Sequence, residues 1–146
     1  MGWIQDQAEK AHEKYRALVL PLLGPGERLL GVCQATQSKM FSNKIFVIGV
    51  TPQRFVMQQV DRKNQACAEP ISVAPGDIVR ASVDGWGGGL THFLTADWGE
   101  IRFDLASGGY TLAILGGGAD QMLTGESQRE GKMRFLEFLA SARGIT

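Results

Sequence analysis

The chain has 146 residues, and its 15 basic side chains balance 15 acidic ones. With 44% hydrophobic and 21% charged residues, it has the size and composition of one folded domain and not of a disordered chain. The charge balance argues against a nucleic-acid partner, because proteins that bind phosphate backbones carry a surplus of Lys and Arg. No apolar run reaches the ~18 residues of a membrane span, and the start lacks the regions of a signal peptide, so we expect a cytoplasmic protein without a transmembrane segment.

The side chains that usually carry chemistry are few and scattered. Cys33 and Cys67 have no second cysteine or histidine at a metal-ligand spacing. Both lie in strand-like runs, so we expect two reduced, buried thiols, although spacing alone leaves a disulfide open. His12 and His92 also lack a second ligand, and no nucleophile motif or phosphate loop is present. The sequence therefore predicts no catalytic residue, no metal, no cofactor and no enzymatic activity.

The N-terminal segment has the spacing of an amphipathic helix that runs to residue 22. Its apolar residues recur at alternating steps of four and three, which places them on one stripe of the helix. Pro21 weakens the last turn, and Gly24-Pro25-Gly26 ends the helix. We expect the stripe to pack on its own domain or on a second copy of the chain. The candidate interface residues are Ile4, Ala8, Ala11, Tyr15, Leu18 and Leu22.

Short strands follow this helix. Residues 44–51 are rich in β-branched side chains and apolar on both faces, and residues 100–105 alternate between apolar and polar, as in a half-buried strand. Pro70 indicates that a weaker strand at 65–71 lies at a sheet edge. The turn at 97–99 predicts a hairpin between its two flanking strands. The predicted strands are 28–36, 44–51, 54–60, 65–71, 78–84, 90–96, 100–105 and 110–115.

A second amphipathic helix closes the chain. Ser127 and Glu130 have the spacing of a capping box, which predicts the start of this helix. Gly144 is well placed to end it. Phe135 and Leu139 belong to an apolar face that we expect to seal the core.

This order of elements predicts a mainly β fold with flanking helices. We expect a bent antiparallel barrel or sandwich of about seven strands, capped by the C-terminal helix and preceded by the N-terminal one. We assign residues 1–22 to the N-terminal amphipathic helix and residues 23–146 to the β domain.

Three short motifs resemble those of the bacterial PH-like domains, which have the pleckstrin-homology superfold. Residues 24–30 read Gly-Pro-Gly-Glu-Arg-Leu-Leu, a turn that opens the first strand. Residues 47–56 contain a strand that ends in Thr, a tight turn and an Arg that starts the next strand. Residues 71–78 are a looser version of the family's Ile-Pro-like stretch, which is followed by an acidic residue and Ile, here Asp77 and Ile78. The resemblance covers residues 22–143, implies the fold of residues 23–146, and carries no catalytic residues; family members bind lipids, peptides or proteins.

Alternate turns of an up-and-down meander fall at the same end of its sheet. We therefore expect the turns at 37–44, 61–64 and 85–89 to meet and to present cations around exposed apolar side chains. Cations attract anionic headgroups, and Trp and Phe favour the membrane interface. The candidate ligand-binding or lipid-binding residues are Lys39, Met40, Phe41, Lys44, Arg62, Lys63 and Trp86.

Two functions remain open from the sequence. The first is a non-catalytic interaction module that binds a protein partner or a second copy of itself. The second is weak binding of anionic lipid headgroups at a membrane surface through the three turns.

Overall fold

The computed structural model describes residues 2–39, 42–84, 100–114 and 121–143. This part of the chain contains seven strands between two long helices, with 3₁₀ turns at Leu20–Leu22 and Pro75–Asp77. The predicted mainly β fold with flanking helices is confirmed. The elements are α1 (Gly2–Val19), β1 (Gly31–Lys39), β2 (Ser42–Val50), β3 (Phe55–Val60), β4 (Ile71–Val73), β5 (Ile78–Asp84), β6 (Glu100–Leu105), β7 (Gly108–Leu112) and α2 (Gln121–Arg143).

The strands form two antiparallel sheets. β1 to β4 lie in chain order in the first sheet, and β5 to β7 lie in chain order in the second. Reciprocal main-chain hydrogen bonds of 2.9 and 2.8 Å between Thr36 and Ala113 join β1 to the residue after β7. The sheets are thereby linked edge to edge, as in a bent sandwich.

The main core lies between the two sheets and is sealed by α2. The Phe55 ring of β3 meets Phe103 of β6 edge-on at a centroid distance of 5.5 Å. It also meets Phe135 and Phe138 of α2 edge-on at 5.0 and 5.4 Å. Such edge-to-face pairs stabilise beyond simple burial of area, so one aromatic cluster ties both sheets to the helix.

The outer face of the first sheet carries a second apolar cluster, which α1 covers. Val19 of α1 is fully buried against valines of β1, β2 and β3. Val47 of β2 faces this cluster, whereas its neighbours Phe46 and Ile48 face the main core. This arrangement explains why β2 is apolar on both faces.

The helix α2 crosses β1 at very short range. A Cβ at Gly131 of α2 would lie well inside van der Waals contact of the Val32 carbonyl, and a Cβ at Gly31 would lie 3.0 Å from the Gly131 Cα. This close approach lets the Gln128 side chain form hydrogen bonds with the edge of β1 that does not face β2. Its Oε1 accepts from the Gln34 N–H at 2.9 Å, and its Nε2 donates to the Gln34 carbonyl at 2.9 Å.

The predicted strand at 65–71 is wrong over most of its length. Only Ile71–Val73 form β4, with an isolated bridge at Ala66. The Gln58 side chain donates to the Ala68 carbonyl at 2.8 Å and so holds the segment before β4 in an irregular conformation. Cys67 in this segment is exposed and not buried as predicted, and both cysteines are free.

The predicted hairpin between residues 90–96 and 100–105 is also wrong. β6 pairs with β5 along one edge, from Ile78 opposite Leu105 to Asp84 opposite Glu100, and with β7 along the other. Both edges of β6 are therefore occupied, and residues 85–99 lie outside the described part of the chain. Alternating polarity predicts a strand but not which strand lies beside it.

The start of α2 differs from the predicted capping box. The helix begins at Gln121 and is interrupted at Gly125, whose φ is 84°. The Ser127 hydroxyl donates to Glu9 Oε1 at 2.6 Å, and the Ser127 N–H donates to Glu9 Oε2 at 3.3 Å. The cap is therefore supplied by the carboxylate of α1, which sequence spacing within α2 cannot show.

Candidate functional site

The register places two turns at the same end of the first sheet. Lys39 is the last residue of β1, and Lys44 lies near the start of β2. Ile45 of β2 pairs with Val60, the last residue of β3. Lys44 is therefore next to the turn at 61–64, so the β1–β2 and β3–β4 turns are neighbours. We call this part of the surface the loop end.

Asp61 and Asn64 fix the shape of the β3–β4 turn. Oδ1 of Asp61 accepts hydrogen bonds from the N–H groups of Lys63 at 2.8 Å and Gln65 at 3.0 Å. Asn64 has a φ of 62°, a left-handed conformation that Asn tolerates better than most residues. The Arg62 and Lys63 side chains are exposed, because the turn is held by its main chain and by Asp61.

The cations of the loop end lack partners within the described part of the chain. Lys44, Arg62 and Lys63 form no salt bridge with any described residue. The carboxylate in the same turn accepts main-chain N–H groups instead. Unpaired cations on neighbouring turns create a positive potential that favours an anionic ligand.

Part of the predicted ligand-binding set lies outside the described residues. These are Met40, Phe41 and Trp86, together with the side chain of Lys39. The described structure therefore brings together Lys44, Arg62 and Lys63 from that set, and the other four stay predictions.

A third turn lies on this side of the molecule, and sequence reasoning missed it. The bridge between Thr36 and Ala113 sets β7 antiparallel to β1, and the Gln37 side chain accepts a hydrogen bond from the Thr111 N–H at 3.1 Å. Residues 106–107, the turn from β6 to β7, follow on the side of the β1–β2 turn. The sequence also predicts residues 85–89 at this end; they lie outside the described part of the chain, so that placement stays a prediction.

The predicted interface stripe of α1 faces the chain's own sheet over much of its length. Tyr15, Leu18 and Leu22 pack against the valine cluster on the outer face of the first sheet. Ala8 and Ala11 are half-buried, and the side chain of Ile4 lies outside the described part.

An ion pair fixes the segment that leads into β1. The Arg54 Nε and Nη2 donate to the two Glu27 carboxylate oxygens at 2.8 and 2.6 Å, and the guanidinium also reaches the Leu22 carbonyl and the Ser72 hydroxyl. These bonds from Arg54 lower the pKa of Glu27 to about 2. Both side chains of the pair are occupied, so we assign them a structural role in joining the turn after α1 to the first sheet.

The described residues contain no cluster of three or more side chains suited to hold a metal ion. Burial raises the pKa of the Cys33 thiol to about 12, so this cysteine is a weak nucleophile at neutral pH. Lys132 is also buried within α2.

A groove of about 230 Å³ lies between α2 and the β2–β3 turn. Leu30, Val50 and Phe138 contribute apolar walls, and the partly exposed Arg134 and Glu137 form a weak ion pair at 3.6 Å beside it. Among the described residues, no sequence-predicted site residue lines this groove. Its walls come from elements far apart in the chain, which no local motif indicates.

No family model and no curated protein matches the sequence. Two solved structures are similar to it over most of its length. The hSac2 domain from human phosphoinositide phosphatase Sac2 matches with a TM-score of 0.53 at 10% identity, over 92% of this chain and 80% of that one. The C-terminal domain of an unknown protein from Leishmania infantum matches with a TM-score of 0.47 at 14% identity, over 90% of this chain and 94% of that one.

At these identities the likeness concerns the fold alone. The hSac2 domain has a PH-like fold, which agrees with the resemblance that the sequence motifs indicated. The bacterial assignment and the cytoplasmic location stay predictions. In the described part of the chain, no helix is both long and apolar enough to cross a membrane.

Proposed function

We propose that this protein is a non-catalytic interaction module that binds anionic lipid headgroups through its loop end. The observation that supports this function most is the neighbouring placement of Lys44, Arg62 and Lys63 without a salt bridge to any described residue. The fold neighbour belongs to a phosphoinositide phosphatase, so phosphoinositides are a rational component of the test vesicles.

The expected strength of binding follows from the number of cations. Each Lys or Arg near an anionic membrane surface contributes about 1 kcal/mol. Three of them therefore contribute about 3 kcal/mol, or roughly a hundredfold in the partition coefficient. Salt should weaken the interaction, because exposed charges are screened within about 8 Å at physiological ionic strength.

The protein-binding or self-associating role is the weaker candidate. It was predicted from the α1 stripe, and Tyr15, Leu18 and Leu22 of that stripe pack against the chain's own sheet. That role stays a prediction, and a mass in solution that rises with concentration would support it.

The test is co-sedimentation with vesicles at low salt. We expect the full chain to sediment with vesicles that contain phosphatidylserine or a phosphoinositide and to stay in solution with neutral phosphatidylcholine vesicles. The triple variant Lys44→Ala, Arg62→Ala, Lys63→Ala should lose roughly a hundredfold in partitioning to anionic vesicles.

A matched control removes the same charge elsewhere. Lys10, Lys14 and Arg28 are exposed residues of α1 and of the segment before β1. Their replacement by Ala should leave partitioning within a few-fold of the original. Equal losses in the two triple variants, or no sedimentation of the unchanged protein with any anionic vesicle, would refute the proposal.

A further inference from the structure

His12 of α1 is buried at the contact between three elements. Its side chain is 5% exposed, and its Nδ1 has no hydrogen-bond partner in the described part of the chain. It lines a narrow cleft together with Leu30, Gly31 and Val32 around the start of β1 and with residues of α2. A buried polar atom without a partner is costly, and an imidazole in that position is costlier still when it carries a proton.

The charges that face His12 come from α1 and α2 and not from the start of β1. On α1, Glu9 favours the protonated imidazole and Arg16 disfavours it. On α2, Glu130 also lines the cleft, whereas Leu30, Gly31 and Val32 bring no charge. Burial is the largest of the effects on His12, and it lowers the pKa of the imidazole below 6.5.

We propose that α1 is a pH-sensitive cover, in which protonation of His12 loosens this helix from α2 and the first sheet. This inference does not depend on the proposed headgroup binding. It concerns the face of the sheet opposite the main core.

The direction of the effect follows from the two states of the helix. In a released α1, His12 is exposed and titrates near its ordinary pKa of 6.5; in the docked helix its pKa is lower. The released state therefore binds the proton more tightly. Docking is strongest above pH 6.5 and weakens as the pH falls through 6.5 towards the lowered value.

Release of α1 would uncover an apolar surface. Val47, Val56 and Val60 are each at most 3% exposed beneath the helix. The same helix is also attached to α2 by the pair of hydrogen bonds from Ser127 to Glu9. The same helix thus covers the valine cluster and supplies the cap of α2.

Hydrogen exchange on the full chain tests the proposal. Amides of residues 2–19 should lose protection at pH 5.5 relative to pH 7.5, after correction for the intrinsic pH dependence of exchange. For each unit by which docking lowers the pKa of His12, protonation can weaken the docking equilibrium of α1 by at most tenfold. In His12→Gln, protection of α1 should be the same at both pH values, because glutamine does not titrate.

Two further measurements keep the test decisive. The chain has two histidines, so His12→Gln assigns the His12 signal in an NMR titration, and the expected pKa lies below 6.5. Glu13→Gln removes an exposed carboxylate from the same helix and should retain the pH step. A pH-independent α1 in the original protein, a step that persists in His12→Gln, a step lost in Glu13→Gln, or a His12 pKa at or above 6.5 would each overturn the proposal.

Discussion

The crossing of α2 over β1 requires that residue 131 have no side chain. In Gly131→Ala, the new Cβ would overlap sterically with the Val32 carbonyl and lie 2.9 Å from the Val32 nitrogen. These are main-chain atoms of β1, which is hydrogen-bonded to β2, so they cannot rotate away as a flexible side chain could. The helix itself has to move outward.

The size of the effect is a difference between two opposing contributions. Alanine in place of glycine favours a helix by about 1 kcal/mol, whereas overpacking typically costs about 1–3 kcal/mol and sometimes more. The displaced helix would also lose the two hydrogen bonds between Gln128 and Gln34, each contributing about 1 kcal/mol. We therefore expect a net loss of about 2–4 kcal/mol.

Thermal unfolding followed by circular dichroism measures this loss. For a domain of this size it corresponds to a fall in Tm of roughly 4–16 °C. Gly76→Ala is the matched control, because a Cβ at that position has no atom within 4 Å, and its Tm should change little. A Tm for Gly131→Ala equal to or above that of the original protein would refute the close-contact argument.

Two further predictions concern titratable groups. The pKa of Glu27 is about 2 in the folded chain against an ordinary 4.5, so the ion pair with Arg54 stabilises the fold above pH 4.5 and that contribution is lost between pH 4.5 and 2. Glu27→Gln should flatten urea-unfolding stability over this interval; an unchanged slope would contradict the assignment. Cys67 is exposed and Cys33 fully buried, so a thiol reagent at pH 8 should label one thiol rapidly and the second after denaturation, and two rapid labels would count against the buried position of Cys33.

The best-predicted elements are those whose pattern is set by local burial. The predicted bounds of β5 and β6 agree with the structure, and β2 and β3 differ by one or two residues at their ends. Apolar and polar residues alternate along β6 because one face of the strand meets the core and the other meets water. This alternation can be recognised in the sequence alone. The two-sided apolar pattern of β2 likewise predicted a strand buried on both faces.

Errors arose where a residue's partner lies far along the chain. Ser127 has the local spacing of a capping residue, yet its hydroxyl donates to Glu9 on the other helix. Residues 100–105 were paired with the preceding run, although their partners are β5 and β7. The place of the β6–β7 turn at the loop end escapes local patterns for the same reason, because the link between the sheets is made at Thr36 and Ala113.

The sequence by itself determined that a run of strands lies between two helices, and it identified Lys44, Arg62 and Lys63 as candidates for one surface. These follow from periodicity, turn residues and charge, which act between neighbours in the chain. Only the tertiary structure decided that α1 covers the valine face, that His12 is buried without a hydrogen-bond partner in the described residues, and that Gly131 touches β1. Contacts between distant segments depend on the simultaneous packing of all elements, and no local pattern contains that information.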